Sequence, residues 1–347
     1  GTAIIAIGKN AMNACTNPGN YNIAIGYQAL DHADVTAGSS VAIGYQAMGN
    51  GGVTGSHQVA IGRDSQYSLT TGAYNVAIGY RSLYSNTTGE NNTAIGWGAL
   101  LNYNATGGNN TAVGKHALEE LTDGAYNTSI GTYAADSLTT GDRNVAIGYD
   151  AFGVAQDVDK CVAIGYAALD ATNSSDADGT VAIGYYALSD NTTGVGYTAL
   201  ENYEASSGGE GNNTALGYAA GFALSTGVRN TFIGSTAGDE ITTGGYNTVV
   251  GALAMNNADS SESYNVAIGY QALSAMDNAV NNWNTAVGAN SGMSLTTGTD
   301  NTFVGGATAD ALTIGVRNTA LGYGALSADV EGSRSIAIGY QALNQQV

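Results

Sequence analysis

Carboxylates are the side chains of this sequence with the number and the clustering to do chemistry: 28 Asp and Glu stand against 9 Lys and Arg. The densest group is Asp170, Asp176 and Asp178, three acids within nine residues of a segment rich in Ser and Asn. Oxygen ligands on a loop are what calcium takes, so these are the candidate metal ligands and calcium the one candidate cofactor. The segment matches neither the EF-hand spacing nor the calcium-binding glycine-rich nonapeptide, and an acidic loop facing water is the plainer outcome. Asp157 with Asp159, and Asp259 with Glu262, repeat the pattern more weakly. Paired carboxylates at a fixed separation can also hydrolyse glycosides, but these acids fall in irregular segments rather than at regular positions. His32, His57 and His116 have no Cys or His companion at ligand spacing, and no nucleophile, base and acid recur together. Gly-rich stretches such as GGEGNN lack the Lys-Ser/Thr ending of a phosphate loop. The expectation is a protein that is not an enzyme.

The formal net charge of −19 disfavours nucleic acid, whose phosphates need clustered cations, and adsorption to an anionic membrane. No run of about 18 apolar residues is present, so no membrane insertion is expected. The first residues, GTAIIAIGKN, carry no signal-peptide pattern.

What must position these groups is a repeat. Aligned on the Gly of AIGY-like phrases, twenty anchors run from Gly8, Gly26, Gly44 and Gly62 to Gly305, Gly322 and Gly339, mostly 17 or 18 apart. That period is too short for a helical repeat and leaves room for short strands and turns. One residue before the anchor (position −1) all twenty carry Ile, Val or Leu, and at −3 all twenty carry Val, Ile or Thr. Alternation with period 2 marks a strand, and β-branched residues suit a pleated, half-buried surface. The fold class is therefore all-β: a parallel β-solenoid or β-roll of about twenty 17-residue coils, one continuous repeat domain over 1–347. Stacked at about 4.8 Å, the coils would make a rod about 95 Å long. Both chain ends fall beside a repeat unit, which suggests a fragment of a longer fibre. Cys15 and Cys161 lie some nine coils apart, roughly 40 Å, too far for an intrachain disulfide.

The columns assign faces. Positions −3 and −1 are expected to point into the coil, with Leu, Met or Phe at +4 (Leu30, Met48, Phe152, Leu273) as the second inward wall. Position +3 is always small, as close backbone passage requires. Asn at −4 in thirteen turns reads as an axial amide ladder, and Tyr or Trp97 at +1 in twelve turns as an aromatic stack. Gly at −7 in thirteen turns reads as a tight corner with positive φ. The −2 column, Ala almost throughout, is then left facing outward. Ala24, Ala77, Ala146, Phe232, Val249 and Phe303 are accordingly the candidate oligomer interface.

One break in register stands out: Gly184 and Gly196 are 12 apart, and Gly196 and Gly217 are 21 apart. The turns near 184–217 are therefore expected to be irregular. The long loop from Glu201 to Gly211 offers Glu201, Tyr203, Glu204 and Glu210 as candidate binding residues; a tolerated insertion is the alternative.

The units NVAIGYQAL, NTAIGWGAL and NTAVGKHAL resemble the YadA-like head repeats of trimeric autotransporter adhesins, and are similar to repeats of phage tail fibres. The resemblance covers essentially the whole chain. It implies a left-handed parallel β-roll, a homotrimer whose main partner is itself, and an extracellular place on a cell surface or virion. The function it implies is adhesion, through contact with a cell-surface glycan or protein receptor. The repeat is somewhat longer than the usual head repeat, and no neck, coiled-coil stalk or anchor is visible. The alternative is a purely structural shaft or self-assembling filament. A monomeric ice-binding solenoid is a third, disfavoured here because the Thr at −3 is expected to face inward.

Overall fold

The anchor glycines impose the architecture. In the computed structural model the φ of the described anchors lies between +124° and +147°. A Cβ on Gly114 would sit 2.1 Å from the carbonyl oxygen of Gly131, and one on Gly148 2.1 Å from that of Gly165. Only hydrogen fits between successive anchors, so the coils close to strand spacing there. The structure describes residues 3–15, 19–32, 36–171, 178–189, 198–200 (backbone), 213–258, 261–277 and 281–344. Among them are twenty strands of three residues each and no helix.

The chain divides into two compact units, Gly1–Asp178 and Gly179–Val347. The first holds ten strands, among them β1 (Ile5–Ile7), β2 (Ile23–Ile25), β3 (Val41–Ile43), β8 (Thr128–Ile130), β9 (Val145–Ile147) and β10 (Val162–Ile164). The second holds the other ten, among them β11 (Val181–Ile183), β12 (Thr198–Leu200), β13 (Thr214–Leu216), β14 (Thr231–Ile233), β18 (Thr302–Val304), β19 (Thr319–Leu321) and β20 (Ile336–Ile338). Within each unit successive strands pair parallel and in register, as Ala24 with Ala42 and Ala320 with Ala337 show. Each unit is a parallel β-solenoid.

Three further positions per coil, mostly held by non-glycine residues, adopt positive φ. They are +2 (Gln28, 50°), +4 (Leu30, 50°) and −5 (Tyr74, 60°). Such a conformation costs about 1–2 kcal/mol for an L-residue. Each is held by an intercoil hydrogen bond: Gln28 N donates to Lys9 O, Leu30 N to Ala47 O, and Tyr74 N to Ser56 O, at 2.9–3.1 Å. The corner glycines at −7 differ from expectation. Gly72, Gly124, Gly141 and Gly298 do not have positive φ. Glycine is needed there because a Cβ would meet the next coil's carbonyl oxygen, 2.3 Å away from Gly72 and 2.4 Å from Gly298.

The faces of the strand are the reverse of the sequence expectation. The central −2 residue is buried and its neighbours are not, an alternation seen in strand after strand. The six interface candidates Ala24, Ala77, Ala146, Phe232, Val249 and Phe303 are therefore core residues, at most 1% exposed. The +3 and +4 columns were placed correctly: Ala29, Leu30, Met48, Phe152 and Leu273 are buried. A further inward column at −10, which the sequence reading missed, contributes Leu69, Leu121, Leu138 and Leu295. The small −2 and +3 side chains keep the coil thin, and the larger +4 and −10 residues fill it.

The buried −4 Asn column forms the expected ladder. Asn110 Oδ1 accepts the backbone N–H of Asn127 (3.0 Å) and its side-chain amide (3.2 Å). Asn127 Nδ2 also donates to Gly141 O at 2.8 Å, and Asn127 Oδ1 accepts from Asn144 N at 2.9 Å. The pattern recurs through Asn230, Asn247 and Asn265, and through Asn284, Asn301 and Asn318. Each amide thus satisfies backbone groups that no strand partner reaches.

The register near Gly196 is corrected as well. Strand β12 is Thr198–Leu200, and Thr198 pairs with Val181 and Thr214. The phrase TAL takes the strand positions, so Glu201, not Gly196, follows them.

Core volume is exchanged between walls where Phe enters the −2 column. Gly238 replaces the usual +4 Leu, and a Cβ there would lie 2.4 Å from the Phe232 ring; a Cβ on Gly292 would lie 3.0 Å from Phe303. Phe232→Ala should cost about 3–5 kcal/mol through the cavity it leaves, and Gly238→Leu alone should clash. The double variant should recover a large part of the loss, because Ala with Leu is the ordinary coil; denaturant melts of all four proteins measure this coupling. Asn127→Ala should cost about 2 kcal/mol or more by leaving buried backbone groups unpaired, with faster amide exchange at Asn144.

Candidate interaction face

With −2 turned inward, the −3 and −1 side chains make the outer face of the sheet. The column at −3 is Val, Ile or Thr, and that at −1 Ile, Val or Leu, with no charged residue in the strands. Within a unit each side chain is covered on two sides by its neighbours in the column, so most are half-buried. The face is nonetheless open: Ile95 is 36% exposed and Ile130 40%, rising to 58% for Ile7 and 65% for Ile338 in the outermost strands. The outward Thr at −3 (Thr214, Thr302, Thr319) removes the objection raised above to an ice-binding face.

Ring ladders flank this face on both sides. At +1, successive coils of the first unit carry Lys9, Tyr27, Tyr45, Arg63, Tyr80, Trp97 and Lys115, two rings between each pair of cations. Tyr27 and Tyr45 stack at 5.1 Å. The Arg63 guanidinium lies 5.3 Å from the Tyr45 ring centre and 5.7 Å from that of Tyr80. Lys115 Nζ lies 4.9 Å from Trp97 and 4.8 Å from Tyr133, whose hydroxyl accepts from it at 2.7 Å. Beyond it Tyr149 and Tyr166 stack at 5.2 Å. The −5 column forms the other ladder: Arg143 lies over Tyr126, and in the second unit Tyr246, Tyr264 and Trp283 stack at 4.8 and 4.2 Å, with Arg229 over Tyr246. Arg229 also donates a hydrogen bond to the Tyr246 hydroxyl. Each contact is individually modest, about 0.5–1.5 kcal/mol.

Charge is sorted between columns. All nine cations fall at +1, +2 or −5, the positions bordering the face. Among the described residues only Asp64, Asp150 and Asp300 share those columns. Asp64 lies 3.3 Å from Arg63 and 3.8 Å from Arg81, and Asp300 lies 3.8 Å from Arg317. The remaining acids lie elsewhere around the coil. The strand side is apolar, aromatic and basic, and the rest is acidic.

Of the carboxylates nominated for calcium, Asp178 has structural work. Asp178 Oδ1 accepts Asp159 N at 2.8 Å, Asp159 Oδ1 accepts Asp142 N at 2.8 Å, and Asp142 Oδ1 accepts Ala125 N at 2.7 Å. These −6 acids thus cap one another's backbone along the axis, and Ser56, Ser263 and Ser333 do the same elsewhere. Asp170 lies in the turn after β10, and Asp176 lies outside the described residues. Among the described residues no three His, Cys, Asp or Glu side chains converge to hold a metal ion. Glu201, Tyr203, Glu204 and Glu210 also lie outside the described residues. His57 stacks on Tyr74, and His116 Nδ1 lies 2.7 Å from Glu119 Oε2. Both cysteines are free thiols.

Three acids at +5 are perturbed. Burial pushes Asp136 up to about 6, with the charge of Asp150 adding to it, and burial raises Asp239 to about 6 and also raises Asp310. The sequence carried no signal for this, since +5 also admits Gly, Ser and Tyr. Comparison with family models, with characterised proteins and with solved structures gives no match.

For a carboxyl whose pKa is higher folded than unfolded, the folded state holds the proton more tightly. Stability is then greatest below the ordinary value of 3.8 and is lost as pH rises through about 6. Thermal melts should accordingly show a falling melting temperature between about pH 4 and pH 7. Asp136→Asn with Asp239→Asn should flatten that slope; an unchanged slope would assign it to general charge repulsion instead.

Proposed function

We propose that this chain is a segment of an extended, extracellular fibre on a cell surface or virion, a left-handed β-roll that assembles as a homotrimer and serves adhesion to a glycan or protein receptor. The observation that carries the assembly is the uncharged Val/Ile/Thr and Ile/Val/Leu face, repeated strand after strand and half-open to water. An apolar face of that regularity is poorly suited to solvent. A second copy has the same rise per coil and can match it row by row, whereas a partner of another period cannot. Covering the face in this way would leave the acidic sides outward, where like charge keeps fibres apart. The number three, the hand and the adhesive role rest on the resemblance to head repeats of trimeric adhesins and to tail-fibre repeats.

The structural shaft is the second reading, and the uniformity of the described turns favours it. At the first Thr of the TTG corner, the Thr70, Thr139 and Thr296 hydroxyls each donate to the carbonyl one coil on, at 2.7–3.1 Å. Corners so alike leave little room for a specific site.

Light scattering on the purified segment should give a mass near three chains. Ile147→Asp, on the outer face of β9, should reduce it toward one chain with the strand signal in circular dichroism retained. A wild-type mass of one chain would overturn the trimer; ice recrystallisation would then be the assay for the outward Thr rows. Binding of the intact trimer to host cells, lost when the segment 201–211 is shortened, separates adhesin from shaft.

A further inference from the structure

The 22 tyrosines against 4 phenylalanines are more than a packing requirement, because a stack needs rings and not hydroxyls. Their placement is specific: Tyr27 with Tyr45, Tyr67 with Tyr84, and Tyr149 with Tyr166 stack between successive coils. Their ring centres lie 5.1, 5.2 and 5.2 Å apart and their planes 14°, 3° and 11° apart. The first and third pairs are open to solvent, with exposures of 37–47%. Neither cysteine is in a disulfide, so no disulfide cross-links one coil to the next. We propose that these stacked phenols are sites of oxidative coupling, at which a peroxide-driven one-electron oxidant, such as a haem peroxidase, closes dityrosine bridges between successive coils of one chain.

The chemistry balances. Each phenol loses one proton and one electron to give a phenoxyl radical. The two radicals join through ring carbons ortho to oxygen, and the ortho hydrogens return to the oxygens as the rings rearomatise. Two hydrogen atoms leave in all, and one hydrogen peroxide is reduced by them to two waters. Coupling is ordinarily limited by the meeting of two dilute radicals; stacking removes that limit, since held partners react at very high effective concentration. The nearby cations disfavour neither step, as the radical and the product are both neutral. Because each coil contacts only its neighbours, a bridge across one junction opposes the separation by which a solenoid unzips.

The experiment exposes the native segment to horseradish peroxidase and hydrogen peroxide at low protein concentration. The readouts are dityrosine fluorescence and peptide mapping by mass spectrometry. The expected products are Tyr27–Tyr45 and Tyr149–Tyr166 bridges within one chain, each lighter by two hydrogens, with Tyr67–Tyr84 forming more slowly because it is less open. Yields at these pairs should exceed those at Tyr74 and Tyr126 by about tenfold or more. Those two rings are 58% and 56% exposed but face His57 and Arg143 rather than a tyrosine. Tyr45→Phe should abolish the first bridge and leave the third. Oxidation without bridges, bridges distributed by exposure alone, or bridges only between chains would each overturn the proposal. The last result would leave the oligomer reading intact, whereas a monomeric mass with intrachain bridges would leave this one intact.

Discussion

A carbonyl oxygen sits where the Cβ of each anchor glycine would be, and that contact sets the distance and register of one coil against the next. Once Gly114 must accept Gly131 at this separation, neighbouring strands cannot slip, and equivalent residues are forced into axial columns. Everything else is a consequence of columns. A side chain must tolerate its own kind above and below, so amides form ladders, rings form stacks, and Arg63 and Lys115 of the first unit's +1 column stand between rings. The three positive-φ positions of each coil persist for the same reason: each is held by a hydrogen bond that exists only while the neighbouring coil is in place.

Much of this was legible in the sequence. The period, the strands, the small +3 column, the +4 wall, the Asn ladder and the Tyr stack all follow from residue types recurring at fixed offsets. The sign of the strand did not. A three-residue strand with β-branched ends and an Ala centre has the right alternation whichever way it faces, and hydrophobicity alone favours the wrong answer. The interior is too thin for Ile at two positions per strand, and it takes Ala24 opposite Ala29 instead. A clue was present in the late coils, where Phe232 in the column supposed to face outward coincides with Gly238 in place of Leu. That exchange makes sense only if the two share a cavity. The same preference for the glycine as marker misplaced β12, whose TAL keeps the strand pattern while the anchor position has become Glu201.

The candidate face was hidden by that inversion, although its flanks were not. Which residues are Lys and Arg, and at which offsets, could have been read from the alignment of repeats alone, but the sorting of charge gains meaning only once the strand side is known to be the outer one. The raised carboxyls at +5 were beyond reach, because they depend on how deeply each turn is covered. Asp159 and Asp178 illustrate the opposite hazard: the acids clustered around them in sequence suggested a cation, while one oxygen of each accepts a backbone N–H of the preceding coil.

The sorting of charge has a consequence at distances where no contact is made. A unit whose cations line one side and whose carboxylates line the others carries an electric dipole across its axis as well as a net charge. In the field of a charged surface such a body experiences a torque, and turns before it arrives. Over an anionic cell envelope a single unit would turn its basic, aromatic columns downward; copies joined through the strand face would cancel their transverse dipoles by symmetry and approach without a preferred roll. Assembly would thus change how the molecule travels as well as what it exposes.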